Sequence, residues 1–248
     1  MIEMRRTIGL VALGTLGALI VTSDPTGPSG TQDRFVLAMW LLLTPLVVTI
    51  GGLVRGAYWS RWMALAAGIA VLPWASVLAS SPSYGMPVIR PTVALGASLV
   101  LLLSLSGRAM FERYEGGSTS VDWSGPRMTL VRWTIICNMA SVLAFYLFVV
   151  AYDYRIEWHI LIPGSLLLGL ILGVLLLARQ KTVGLLLIAI CCVCFVPAGG
   201  YFVWKEASHV GEAILFGAIF FPGVLTGWAS LFAFGKPMWR YLLVGVRP

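Results

Sequence analysis

The chain has 248 residues, of which 59% are hydrophobic and 11% charged, with a formal net charge of +7. Charged groups this scarce do not suffice to cover a water-soluble globule of that length, so the composition argues against a soluble protein and indicates one surrounded by a lipid bilayer. The basic residues form small groups between apolar runs rather than a stripe, which argues against a nucleic-acid partner.

Eight apolar stretches approach the length of about 17 to 25 residues that crosses a hydrocarbon layer about 30 Å thick. In chain order they are 7–22, 35–54, 62–80, 91–107, 133–152, 160–178, 182–204 and 213–234. Runs such as 166–177 do not alternate between apolar and polar residues, which excludes a transmembrane barrel. The sequence therefore predicts an all-α, polytopic transmembrane helix bundle that forms a single integral membrane domain over 1–248.

The first stretch also resembles a secretory signal peptide. Arg5 and Arg6 precede its apolar run, and a turn-rich segment, 23–30, follows it. No Ala-x-Ala cleavage site follows the run, however. We therefore expect a retained span, with cleavage as the alternative.

The seventh stretch carries the strongest helix-breaking signal, because Pro197 is followed closely by Gly199 and Gly200. A broken helix inside a membrane can form a substrate site. A packing kink is the commoner result of proline inside a span. We therefore expect a kink and keep the broken helix as the alternative.

The basic residues divide unevenly when the connections are assigned alternately to the two sides of the membrane. One side holds four of the 17, namely Arg34, Arg90, Arg155 and Lys205. The other side holds the rest, namely Arg5, Arg6, Arg55, Arg61, Arg108, Arg113, Arg127, Arg132, Arg179, Lys181, Lys236, Arg240 and Arg247. Because Lys and Arg are enriched in cytoplasmic loops, this bias predicts both termini in the cytoplasm. In a bacterial chain the membrane is then the inner (plasma) membrane.

Aromatic residues follow the same division. Trp59, Trp62 and Trp133 fall at the predicted inner ends of spans, and Trp158 and Trp204 fall at outer ends. Amphipathic rings are enriched at membrane–water interfaces. The sequence thus predicts that these tryptophans lie at the two interfaces.

The longest polar connection is the predicted cytoplasmic loop 108–127. It contains Glu112, Arg113, Glu115 and the Gly116–Gly117 pair. We interpret it as a solvated linker, with docking of a cytosolic partner or a neighbouring subunit as the alternative.

Small residues repeat at four-residue spacing on two of the predicted spans. Such residues let membrane helices approach closely. We expect them to pack helices within the chain, with contact to another subunit as the alternative; they are Ser165, Gly169 and Gly173 on the sixth span and Gly223 and Gly227 on the eighth.

No Asp, Glu, Lys, Arg or His falls near the centre of any predicted span. Proton-coupled carriers, voltage sensors and retinal proteins require such a group. Walker A, G-x-G-x-x-G, H-E-x-x-H and G-x-S-x-G motifs are absent from the sequence. The sequence therefore identifies no cofactor and no catalytic residue.

Both histidines fall at the predicted outer face beside carboxylates. Glu157 and His159 precede the sixth span, while Glu206, His209 and Glu212 lie between the seventh and eighth. Imidazole and carboxylate at three-residue spacing can share a metal ion or relay a proton. The alternative, which we favour, is a set of water-facing polar residues at the starts of helices.

The cysteines Cys137, Cys191, Cys192 and Cys194 lie inside predicted spans. They do not form the paired C-x-x-C motifs of zinc sites, and we interpret them as small buried hydrophobic residues. Soft-metal binding by Cys191 and Cys194 is the alternative.

These patterns lead to three hypotheses about function. The first is a non-enzymatic membrane subunit, a permease component or structural partner in a larger complex with other membrane subunits. The second is a membrane-embedded enzyme or metal-binding protein with an outward-facing histidine and carboxylate site. The third is a membrane sensor module that acts through the 108–127 loop.

Overall fold

The computed structural model describes residues 2–22, 32–80, 89–116, 125–126, 128–130, 132–133, 135–137, 139–140, 143–144, 165–166, 168–169, 172–173, 176 and 182–206. Every regular element among these residues is a helix. The predicted all-α fold class is confirmed for this part of the chain.

Six helices have defined bounds in the structure. We number them in chain order as α1 (Ile2–Val21), α2 (Gln32–Arg55), α3 (Tyr58–Ser80), α4 (Ile89–Leu105), α5 (Arg108–Tyr114) and α6 (Thr182–Glu206). The first four and α6 begin and end within five residues of the stretches predicted from hydropathy. The largest difference is at α1, which begins at Ile2, so Arg5 and Arg6 belong to its first two turns. The predicted span 213–234 lies outside the described residues.

The chain divides into two compact units. The first consists of Met1–Asp122 and Tyr146–Ile156, and the second of Trp123–Phe145 and Glu157–Pro248. In the first unit, α2 and α4 each pack against both α1 and α3. Contacts between the start of one helix and the end of its neighbour show that these neighbours are antiparallel. The first unit is therefore an up-and-down bundle of four helices with α5 added.

The interior of the bundle combines fully buried leucines with small residues. A Cβ on Gly68 of α3 would lie 3.0 Å from Leu102 of α4, and one on Gly9 of α1 would lie 3.0 Å from the Ser104 hydroxyl of α4. Small residues let membrane helices pack closely where lipid provides no hydrophobic driving force. Close backbone approach thus holds α4 between α1 and α3.

Hydroxyl groups inside the bundle bond to their own helices. Thr49 donates to the Pro45 carbonyl oxygen at 2.6 Å, and Ser98 donates to that of Ala94 at 2.8 Å. Such bonds satisfy a buried hydroxyl without a partner from another helix. Thr49 also bonds the carbonyl of the proline that interrupts α2.

Two connections at one end of the bundle use glycines with positive φ. Gly56, between α2 and α3, has φ +74, and Gly107, between α4 and α5, has φ +91. Residues with a side chain rarely adopt these conformations. Gly107 lets α5 bend by 73° from α4, so that α5 lies across the end of the bundle.

In the second unit, α6 runs without interruption through Pro197. The structure therefore has no break in the seventh predicted span. Gly169 and Gly173 pack directly on α6, because a Cβ on Gly169 would lie 2.6 Å from the Cys191 sulfur and one on Gly173 would lie 2.7 Å from Ile188.

By length and hydropathy, α1 is the one helix among the described residues that could cross a membrane alone. The bent pair α4 and α5 qualifies jointly. Large apolar side chains are exposed on these helices, including Met4, Val11, Ile89 and Leu103. This is weak evidence for association with a membrane.

Trp62 lies near the start of α3, where it is covered by protein. Its side chain is fully buried in the bundle, with its ring edge-on to that of Tyr58 at a centroid distance of 5.2 Å. The side chains of Trp133 and Trp204 are exposed. The position of Trp62 at the end of an apolar run did not show whether its ring would face the membrane interface or the protein core.

Candidate functional site at the charged end of the bundle

Most ionisable side chains that the structure describes in the first unit gather at one end of the bundle, while Arg90, in the first turn of α4, lies at the opposite end. The end is formed by the first turns of α1, the α2–α3 connection, the last turn of α4, and α5. We call this region the charged end and define it by Glu3, Arg5, Arg6, Arg61, Arg108, Glu112, Arg113, Tyr114 and Glu115.

Arg61 and Glu115 form a buried ion pair at the centre of this region. Both side chains are almost fully buried, and Arg61 Nη1 donates to Glu115 Oε1. Arg61 Nε also donates to the Leu105 carbonyl oxygen of α4 at 2.9 Å. A buried charge requires a partner and further hydrogen bonds to be tolerated. Arg61 thus connects the start of α3, the end of α4 and the end of α5.

Tyr114 fastens α5 to the bundle by a second contact. Its ring is buried, and its hydroxyl donates to the Leu53 carbonyl oxygen near the end of α2 at 3.2 Å. Burial raises the pKa of the Tyr114 phenol above its usual value, against the lowering effect of nearby Arg6 and Arg113. The hydroxyl is consequently a stable hydrogen-bond donor and a poor proton-transfer group near neutral pH.

Arg5 covers the carboxyl end of α4. Its Nη2 donates to the carbonyl oxygens of Leu103 at 2.7 Å and Ser106 at 2.6 Å. The last carbonyls of a helix have no partner within the helix, and a cation there also suits the helix dipole. Arg5 therefore acts as a side-chain cap contributed by a neighbouring helix.

Arg6 and Glu3 link α1 to its other neighbours. Arg6 Nη2 donates to the Val54 carbonyl oxygen of α2, and Arg6 Nη1 pairs with Glu3 at 2.9 Å. Glu3 also lies 3.4 Å from Arg113 of α5. These bonds join α1, α2 and α5 at the same end of the bundle.

Ionisable groups at the charged end pair with one another or with helix-end carbonyls. Each described carboxylate at the charged end lies beside a guanidinium, and Glu115 is sealed from solvent. A general base needs access to a substrate and a pKa near the working pH. Among the described residues no group of three or more His, Cys, Asp and Glu side chains is placed to hold a metal ion. The arrangement anchors helix ends and presents guanidinium groups at the surface.

The predicted outward histidine and carboxylate site remains a prediction. Glu206 is the last residue of α6, and its side chain is not among those described. Glu157, His159, His209 and Glu212 lie outside the described residues.

Some of the predicted packing residues are among the described residues, and others are not. Ser165, Gly169 and Gly173 are helical, and Gly169 and Gly173 contact α6 of the same unit. Gly223 and Gly227 lie outside the described residues. Gly169 and Gly173 thus contact a helix of the same chain.

The cysteines of α6 face different surroundings. Cys191 is buried against Gly169, while Cys194 is exposed. Cys191 occupies the space that the glycine leaves open, as a small hydrophobic residue would.

Sequence reasoning missed the folding of the segment after α4. It treated 108–127 as a solvated linker, but residues 108–114 form α5, and Met110, Tyr114 and Glu115 are buried. The available signal was the four-residue spacing of Met110 and Tyr114, which places both on one face of a helix. The buried pairing of Arg61 with Glu115 had no local signal, because the two residues are 54 positions apart.

Comparison with protein-family models, with curated proteins and with solved structures finds no match to this chain.

Proposed function

We propose that the chain is a multi-pass protein of the plasma membrane with eight spans and both termini in the cytoplasm. We further propose that it is a non-enzymatic subunit, a permease component or structural partner, of a larger membrane complex. The lipid bilayer and other membrane subunits are then its partners.

The observation that carries this proposal is the segregation of charge in the first unit. The ionisable side chains at the charged end bond to each other and to helix-end carbonyls. Between this end and the opposite one, the helices contain apolar and small residues and hydroxyls bonded to their own backbone. Such a bundle offers the hydrocarbon layer an uncharged surface and offers a substrate no ionisable group.

The packing of α1 supports a retained first span. Leu13 and Leu16 are buried, and Gly9 is in close contact with α4. Arg5 and Arg6 cap two neighbouring helices. Removal of α1 as a signal peptide would expose these surfaces and leave the ends of α2 and α4 without their caps.

The exposed apolar surface supports a membrane and partner subunits. Leu103 of α4 is 71% exposed and Val11 of α1 is 64% exposed. Large apolar side chains exposed on the outside of the bundle suit contact with lipid or with another protein.

Purification from its own membranes in a mild detergent tests the proposal. The chain has a mass of 26.9 kDa. We expect mass measurement of the undissociated particle to exceed that value and to identify other membrane polypeptides in fixed proportion. A stable lone monomer that is catalytically active would overturn the subunit assignment. Release of the chain from membranes by carbonate or high salt would overturn the membrane assignment.

A further inference from the structure

The outer surface of the bundle carries an apolar groove between α1 and α4. It has a volume of about 350 Å³, and its lining includes Thr7, Ile8, Val11, Thr15, Ala97 and Val100. The hydroxyls of Thr7 and Thr15 donate to the Glu3 and Val11 carbonyl oxygens of their own helix. The groove therefore presents methyl and methylene groups to its occupant.

The shape of the groove suits a single alkyl chain. From Thr7 to Thr15 the helix rises about 12 Å, at about 1.5 Å per residue. Val11 and Val100 on its two walls are exposed, so the groove opens sideways to the surroundings of the bundle. A long apolar chain that lies along α1 can enter without any rearrangement of the helices.

A cation stands at one end of this groove. Arg5 precedes Ile8 by one turn of α1, and it reaches Leu103, one turn beyond Val100 on α4. The Arg5 Nη2 group is held by two carbonyl oxygens. Its Nε and Nη1 groups donate no hydrogen bond to any described residue. The guanidinium is thus fixed in place with one edge available to an anion, the geometry that suits a phosphate.

We propose that this groove binds an anionic phospholipid, with an acyl chain along α1 and α4 and the phosphate on Arg5. The proposal rests on the membrane location proposed above. Charge complementarity selects the occupant, because the charged end has five arginines against three glutamates. An alkyl chain joined to a negative headgroup matches an apolar groove that ends at a fixed guanidinium.

Native mass spectrometry of the full chain in a non-ionic detergent tests the site. The protein is titrated with phosphatidylglycerol and with phosphatidylcholine of the same acyl chains. We expect about tenfold tighter binding of one phosphatidylglycerol, the effect of a hydrogen bond to a charged group. Arg5→Gln is expected to remove this preference, and Ala97→Phe is expected to remove the tight site by filling the groove.

Two matched variants serve as controls. Arg108→Gln removes the same charge from an exposed side chain outside the groove, and Leu99→Phe adds an aromatic ring to the same helix outside it. Both are expected to bind phosphatidylglycerol as the wild type does. Ala97→Phe leaves Arg5 and its caps untouched, so the site is tested even if Arg5→Gln weakens the fold.

Four outcomes would overturn the proposal. The first is equal affinity for the two lipids, and the second is an equal loss in Arg5→Gln and Arg108→Gln. The third is full competition by glycerol phosphate, which would indicate a headgroup site without the groove. The fourth is a dimer that Ala97→Phe dissociates, which would assign the groove to a second copy. An intact multisubunit particle without lipid preference would refute this site and leave the proposed function standing.

Discussion

The charged end and the middle of the bundle are held together by different forces. At the charged end, helices are joined by a buried ion pair, by arginine caps and by two turns that need positive φ. Farther from that end, α3 and α4 are joined by the close contact of Gly68 with Leu102 and the Ser98 carbonyl, and none of these groups is charged. Directional bonds fix which helix ends meet, while close packing fixes how near the helices lie.

The largest effect is expected from breaking the buried ion pair. Arg61→Ala removes the guanidinium that pairs with the buried Glu115 carboxylate and the bond to the Leu105 carbonyl. Loss of one member of a buried pair costs about 3–5 kcal/mol. Equilibrium unfolding in mixed detergent micelles, followed by circular dichroism, measures this loss.

A double variant tests whether the buried charges account for this loss of stability. Replacing both partners by apolar residues, Arg61→Met with Glu115→Leu, should recover most of the lost stability, because no buried charge remains. If Arg61→Ala unfolds with wild-type stability, the ion pair does not hold α5 to the bundle.

A smaller effect is expected from filling close contacts on α2. A Cβ on Gly52 would lie 2.6 Å from that of Ser60 and 2.8 Å from the Trp59 ring, so Gly52→Ala forces α2 away from α3. Overpacking of this kind costs about 1–3 kcal/mol. Gly51 is the matched control, because a Cβ there would meet nothing within 4 Å.

Gly51→Ala should therefore leave the melting temperature in detergent unchanged or raise it slightly, since alanine has the higher helix propensity. Equal destabilisation by Gly51→Ala and Gly52→Ala would show that the loss at Gly52 comes from the geometry of α2 and not from its close contact with α3.

A comparable loss is expected at the α4–α5 turn for a different reason. Gly107 has φ +91 and ψ 166, a conformation that is essentially restricted to glycine. Gly107→Ala should cost about 1–3 kcal/mol by backbone strain. Limited proteolysis after Gly107 measures the release of α5, and unchanged cleavage kinetics would contradict the role of this turn.

The smallest effect is expected from removing the Tyr114 hydroxyl. Tyr114→Phe loses the bond to the Leu53 carbonyl and should cost about 1 kcal/mol at neutral pH. Because burial raises the pKa of Tyr114 above 10.0, the folded state keeps the phenol protonated at a pH where the unfolded state releases the proton. Tyr114 therefore stabilises the fold fully below about pH 10 and loses this contribution as the pH rises further.

The alkaline limb of the stability profile tests this assignment. The wild type should lose stability above about pH 10 more steeply than Tyr114→Phe. Identical pH profiles of unfolding for the two proteins would exclude Tyr114 as the group responsible.

Much of the described fold could be predicted from the sequence because the signals are long. A stretch of about 20 apolar residues predicts a helix with little ambiguity. The grouping of Arg5, Arg61 and Arg108 on one side also follows from the order of the spans, and in the structure these residues gather at one end of the bundle.

The remaining features depend on contacts that are distant in sequence. α5 has seven residues, so the spacing of Met110 and Tyr114 is a single helical repeat, too short by itself to distinguish a helix from a polar loop. Trp62 and Glu115 are buried because other helices cover them, and no neighbouring residue in the sequence indicates this burial. The hydrogen bonds of Arg5 to the carbonyl oxygens of Leu103 and Ser106 likewise join residues that are 98 and 101 positions apart in the sequence.

Cysteine labelling from the two sides of the membrane tests the central claim most directly, that charge is confined to bundle ends and that the charged end faces the cytoplasm. Single cysteines are introduced as Glu112→Cys on α5 and Thr22→Cys at the opposite end, after the four native cysteines are replaced by serine. We predict that a membrane-impermeant maleimide labels Thr22→Cys in intact cells and labels Glu112→Cys only after permeabilisation. Labelling of Glu112→Cys in intact cells would contradict the account.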